Sequence, residues 1–355
     1  MFLIGSDVDM QAFASEVKAG TFDEKFDGVL LVSDVDMTDK AWEPLDGYKS
    51  VFEGRNYTIK GLTAPLFGEN TVATISNVAV EGNLVEETNG KVGLIARSLS
   101  VDGDLVGTIF NCSAKGSIVY KNSGLQVNAN YDLINVGGLV GGVYGGSVSS
   151  SESSVDVSIV TAGPEAEENV YTPCIGGVVG YACERDGKLP KIAENTNNGV
   201  VAWDDNSGSK KVTPYIGGVA GYLTAGLFSD NVNTGELYIQ EKMYDLDWGG
   251  VIGASAVAVE RCENKGSLTI NEEITNANIG GVVGKLEAAS LHNCENSGKL
   301  LFDEKFLIKQ TCNIGGVVAY AAQGTKEIHD CVNSGSITYL GTCEFAGADA
   351  ATGNA

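Results

Sequence analysis

His292 and His329 are the only histidines in the 355-residue chain, 37 residues apart at matching places in successive repeats, and Glu260 holds that place one repeat earlier. Imidazoles and a carboxylate are zinc donors. Stacked parallel strands, however, set such residues in a row along one face instead of converging them on a tetrahedron. We therefore expect solvated side chains and no metal. Asp204, Asp205, Asp245 and Asp247, near Trp203 and Trp248, could supply the carboxylates of a polysaccharide-cleaving enzyme. Against this, Trp248 occupies a position held elsewhere by Ile or Val and reads as core, and basic residues for a lyase number only 23. The stretch Glu165-Ala166-Glu167-Glu168-Asn169 lacks the ligand alternation of a calcium loop. No Gly-x-Ser-x-Gly elbow and no Cys–His nucleophile pairing is present. The expectation is a chain without catalytic residues or cofactor, not an enzyme.

The eight cysteines raise the question of disulfides. Cys112, Cys262, Cys294 and Cys331 each stand four residues before a glycine of one recurring motif, and Asn195 and Asn231 fill the same position in other repeats. Repeated use of one place points to a small, soft side chain packed in a stack, since Cys is among the most buried residue types. Free thiols are expected.

The elements that carry these residues are defined by glycine. Six hexads share one pattern: Val136-Gly137-Gly138-Leu139-Val140-Gly141, Ile175-Gly176-Gly177-Val178-Val179-Gly180, Ile216-Gly217-Gly218-Val219-Ala220-Gly221, Trp248-Gly249-Gly250-Val251-Ile252-Gly253, Ile279-Gly280-Gly281-Val282-Val283-Gly284 and Ile314-Gly315-Gly316-Val317-Val318-Ala319. The pairs are 39, 41, 32, 31 and 35 residues apart. An Asn-x-Gly motif recurs with them at Asn197, Asn233, Asn264, Asn296 and Asn333. Such self-similarity marks a solenoid or propeller, whose units cannot bury their apolar faces alone. Units of 31 and 32 residues are too short for four-stranded blades. A nucleotide loop is excluded because no helix follows Gly137-Gly138-x-x-Gly141-Gly142 and because six copies would serve no purpose. The pattern predicts an all-β, right-handed parallel β-helix of nine or ten coils, its five asparagines forming an amide ladder at the ~4.7–4.9 Å strand spacing.

Ser6 and Asp9 resemble a capping box, Met10, Phe13 and Val17 fall on one helical face and Gly20 supplies a stop, so a capping helix is predicted over 7–19. We expect a single domain over 1–345, with a cap region at 1–27, lead-in coils at 28–90, repeats at 91–340 and a tail at 346–355. Residues 147–170 and 203–212 read as inserted loops and as candidates for ligand contact. The 46 acidic against 23 basic residues give a formal charge of −23. Such a surface repels phosphate, so no nucleic-acid partner is expected. No apolar run reaches the ~20 residues of a membrane span, and the expected state is a monomer.

The Gly-Gly-Val-Val-Gly core with the Asn-Cys-x-Asn-x-Gly turn resembles the GLUG motif, a tandem repeat of surface proteins of gut Bacteroidetes that also occurs beside the protease domain of streptococcal IgA-cleaving metallopeptidases. The resemblance covers residues 90–340. The segment Phe52-Glu53-Gly54-Arg55-Asn56-Tyr57-Thr58-Ile59-Lys60-Gly61-Leu62 is similar to the usual lead-in. Departures are Ala319 for the final glycine of the last copy and the missing glycine pair at Val92-Gly93. The His-Glu-x-x-His helix of those metallopeptidases is absent from the sequence. The resemblance implies an extracellular or cell-surface module for adhesion or for binding a glycan or host protein; a polysaccharide-degrading enzyme and a structural stalk are the alternatives.

Overall fold

The computed structural model describes residues 1–87, 90–122, 134–161, 172–203, 213–240 and 242–340. The described chain winds as a parallel β-helix whose strands stack into four long sheets. Sheet I has eleven strands, from Phe2–Ile4 and Gly28–Leu31 to Ile328–His329. Sheet II has fifteen, including Ser113–Asn122, Glu152–Thr161 and the short strands around each Asn-x-Gly turn. Sheets III and IV have seven each and hold the two halves of the diglycine hexads. Pairing between coils is parallel, with register shifts at Ile274–Asn276 and Ile59–Leu62, and the diglycines stay in register, so Gly176 lies over Gly217 and Gly217 over Gly249.

Seven complete coils carry strands in all four sheets, fewer than the nine or ten expected. The difference lies in the lead-in: without a diglycine turn, its coils reach the sheet IV side through single bridges, Leu45 to Phe67, Phe67 to Ala96 and Thr71 to Leu99.

Alternation places one set of side chains in a continuous interior. Val155, Val157 and Ile159 point in while Glu152 and Asp156 point out. Residues 147–149 and 152–161 are therefore strands of sheets I and II, a correction to the predicted loop over 147–170. Serine-rich composition hid a two-residue period there. Trp203, placed at the start of the second predicted loop, is a buried strand residue, and 204–212 lie outside the described residues, as do 162–171 and the predicted tail at 346–355.

The five asparagines stand over one another, and Asn197, Asn233, Asn264 and Asn296 are fully buried. Each amide nitrogen donates to the carbonyl oxygen of the next asparagine, at 2.9, 2.9, 2.8 and 2.7 Å from Asn197 to Asn333. Each also donates to the backbone carbonyl of the glycine two residues on, as Asn264 does to Gly266 at 2.9 Å. Both amide protons are thus used, which a buried amide requires. In the last five hexads the second glycine touches the asparagine that follows it in the chain: a Cβ on Gly250 would lie 2.4 Å from Asn264 Cγ and 2.0 Å from the Gly281 carbonyl oxygen.

At the N-terminal end, helix α1 spans Asp7–Lys18 with Ser6 as its N-cap, the Ser6 Oγ accepting from the Asp9 amide at 3.2 Å. The Asp9 carboxylate accepts from the Gly5 amide at 3.0 Å, completing a shifted capping box. Phe13 is buried against Phe22, Tyr48 and Phe52, so α1 covers the first coils.

Candidate functional site

The outer faces of sheets III and IV meet in an open groove of about 460 Å³. It is built from the residues just before each diglycine pair, where alternation sends one residue inward and its neighbours outward. Leu246, Ala277 and Cys312 form the inward column of three successive coils. Asp247, Asn278 and Asn313 form one outward column beside it, and Asp245, Asn276 and Thr311 another. Lys285 and Tyr320 reach the groove from neighbouring strands of sheet IV.

The columns are hydrogen-bonded along the axis. Asn276 Nδ2 donates to Asp245 Oδ1 at 2.7 Å and Asn278 Nδ2 to Asp247 Oδ1 at 2.6 Å. Asn313 Nδ2 donates to Asn278 Oδ1 at 2.7 Å. On the sheet IV side Lys285 pairs with Glu287 at 2.7 Å, and Glu287 accepts from the Tyr222 hydroxyl at 2.9 Å. Tyr215 packs on Tyr222 with ring centroids 4.6 Å apart, and the aromatic row continues toward the N-terminus through Tyr181 and Tyr144.

Burial pushes the Asp247 carboxyl above its ordinary range, against the pull of the Asn278 hydrogen bond and the Lys285 charge. For Lys285 burial acts downward but is outweighed by the Glu287 hydrogen bond and the charge of Asp247, leaving the ammonium above its usual value. The groove therefore offers a carboxyl raised above its ordinary range by burial, a fixed cation, planar amides that donate and accept, and tyrosine faces. That set suits a polyhydroxylated ligand.

The other candidate residues fall elsewhere. Trp203 and Trp248 are buried and do not line the groove, while Asp204, Asp205 and Glu165–Asn169 lie outside the described residues. The five ladder asparagines and the paired glycines sit in the interior or at the turns and take no part in the groove. The seven described cysteines are free thiols, and burial pushes Cys112 and Cys312 up to about 12. Glu260 is in register with His292, but its carboxylate pairs with Arg261 at 2.9 Å. Asn276, Asn278, Asn313, Tyr215, Lys285 and Tyr320 were not singled out from the sequence. Aligning Asp245-Leu246-Asp247, Asn276-Ala277-Asn278 and Thr311-Cys312-Asn313 on their hexads would have exposed the two polar columns.

No protein-family model and no curated protein matches the sequence. Among solved structures, the chain is similar to a protein from Bacteroides ovatus, provisionally assigned as an immunoglobulin A1 protease, at 15% identity and a TM-score of 0.48 over 95% of this chain and 84% of that one. The GLUG resemblance thus rests on the repeat residues themselves. The expectation that the chain is not an enzyme is corrected by this finding: a structural neighbour bears the name of an enzyme, a name that is said of that protein. No helix among the described residues is long and apolar enough to cross a membrane.

Proposed function

We propose that the chain is a secreted or surface-displayed β-helix that binds a glycan in the groove between sheets III and IV. The observation behind this reading is the pair of acid–amide columns, Asp245–Asn276 and Asp247–Asn278–Asn313, bordered by Tyr215 and Tyr320. Planar side chains held by their neighbours present oxygen and nitrogen atoms at fixed spacing, which matches vicinal hydroxyls. Tyrosine rings accept the apolar C–H faces of sugars while their hydroxyls bond to the rim. The volume falls within the roughly 300–1,000 Å³ usual for small-ligand sites.

Asp247 supports a second reading, cleavage of the bound glycan. Burial raises the Asp247 carboxyl above its ordinary range, the direction that suits a general acid protonating a leaving oxygen. One set of measurements separates the two readings. A glycan array followed by calorimetry on the intact chain should identify a saccharide whose affinity falls about tenfold or more in Tyr215→Ala. Chromatography of the same mixtures reports turnover, which Asp247→Asn should abolish while binding persists if cleavage occurs. Saccharide binding indifferent to Tyr215→Ala would remove the groove from the account.

A further inference from the structure

A second cluster stands on sheet I, away from the groove. The rungs Leu291–His292 and Ile328–His329 are adjacent and in register, and the two imidazole rings lie with centroids 4.1 Å apart. Glu327 precedes the second rung, its Oε2 lying 3.9 Å from His329 Nε2. One ligating atom from each of His292, Glu327 and His329 lies within 4.8 Å of the others. We propose that these three side chains form a binding site for a late first-row transition ion, zinc in the first instance, with a further coordination position open to solvent.

Four observations support the site. Two imidazole nitrogens and a carboxylate oxygen are a donor set suited to zinc, whereas calcium and magnesium take oxygen ligands. The spacing is within reach: nitrogen ligands at Zn–N ~2.0–2.1 Å in a tetrahedron are ~3.4 Å apart, and Glu327 and His329 are exposed enough to turn inward by the difference. The Asp330 carboxylate lies 2.8 Å from His329 Nδ1, the outer carboxylate that fixes a ligating histidine's tautomer and leaves Nε2 with its lone pair. Finally, His292 Nδ1 is buried without a hydrogen-bond partner among the described residues, an unsatisfied group of the kind that calls for an ion or other partner. The objection that a ladder lines its donors up in a row holds for Glu260 and the two histidines. It fails for Glu327, which enters from the chain leading into the last rung.

The test is calorimetric titration of zinc chloride into the full chain, with variants chosen to keep the fold. The expected result is one saturable site that weakens at least about tenfold in His329→Ala and is lost in the His292→Ala/His329→Ala pair. Asp330→Asn should weaken binding ~10–100-fold without removing any ligand. That exchange is compatible with the backbone, because Asp330 has φ 54° and Asn293 holds the equivalent place one coil earlier with φ 53°. Cys331→Ser should leave affinity unchanged, and cobalt loading should give no thiolate charge-transfer band. Far-UV circular dichroism without metal checks that each variant is folded. No saturable binding, equal affinity in the double variant, or dependence on Cys331 would each overturn the proposal. None of these outcomes bears on saccharide binding in the groove.

Discussion

The turn from sheet I to sheet II repeats one left-handed residue per coil, and from Asn111 onward the residue after it is a small donor, Val78 after Asn77 being the exception. Asn77, Asn111, Ser150, Glu194, Asp230, Arg261, Asn293 and Asp330 all have φ between 49° and 61°, a region that Asn and Asp enter more readily than most residues. At Cys112, Asn195, Asn231, Cys294 and Cys331 that residue reaches a strand carbonyl of the preceding coil. Asn195 Nδ2 donates to the Val148 oxygen at 3.0 Å and Asn231 Nδ2 to the Ile192 oxygen at 3.0 Å. Cys112 and Cys294 point their thiols at Ile75 and Val259, each at 3.6 Å. Asparagine and cysteine alternate at this place because both are small donors. Cys294→Ser should therefore be nearly neutral, whereas Cys294→Ala should lose the bond and cost about 1 kcal/mol. The ladder asparagines are held more tightly. Asn264→Ala removes the acceptor of Asn233 and the donor to Asn296 at a buried site, and should cost about 2–4 kcal/mol. Urea unfolding of the three variants gives the ordering; Cys294→Ser as damaging as Cys294→Ala would rule out the shared-donor account.

At the scale of the element, the diglycine hexad and the Asn-x-Gly turn are two halves of one contact. The glycine lacks a side chain so that the turn of the next coil and the buried amide can close on it. Gly250→Ala puts a methyl group against both the Gly281 carbonyl and the Asn264 side chain, and backbone has little room to yield. The expected cost is about 3 kcal/mol, at the upper end of overpacking effects, read as a loss of thermal stability. Removing the amide as well, in Gly250→Ala/Asn264→Ala, leaves the clash with Gly281, so the pair should be no more stable than Gly250→Ala alone. Recovery of stability in the double variant would show that the asparagine, not the backbone, sets the requirement. The repeat was legible because glycine and asparagine are demanded by geometry at fixed intervals. The groove was not, since Asp247, Asn278 and Asn313 share only an outward direction, and unlike side chains serve there in successive coils. The strand at Glu152–Thr161 escaped for a related reason: serine fits inside and outside alike, so composition obscured the alternation that Val155, Val157 and Ile159 carry.

The molecule as a whole is held together in one dimension, each coil touching only its neighbours, so stability is a sum of coil and interface contributions and the ends should open first. The two ends of the described structure differ. At the N-terminal end α1 lies over the first coils, with Ile4, Met10 and Phe13 fully buried and Phe22 nearly so. In the last described coil Ile328, Val332 and Ile337 are 44%, 54% and 49% exposed, and the strands there have a neighbour on one side only. Asn333 is likewise exposed and accepts from Asn296, with no further asparagine among the described residues to receive its amide. Hydrogen exchange followed by mass spectrometry should therefore be asymmetric. Peptides spanning the hexads at Gly176 to Gly281 should exchange slowest, those at 2–31 at an intermediate rate, and those at 318–340 fastest. Phe13→Ala removes the centre of the aromatic cluster under α1 and should bring exchange at 2–31 up toward the rate at 318–340, while leaving the central coils unchanged, because an unfolding front in a linear array must pass through the intervening coils to reach them. Uniform acceleration along the chain in that variant would mean that the coils unfold as one cooperative block and that the ends exert no separate control.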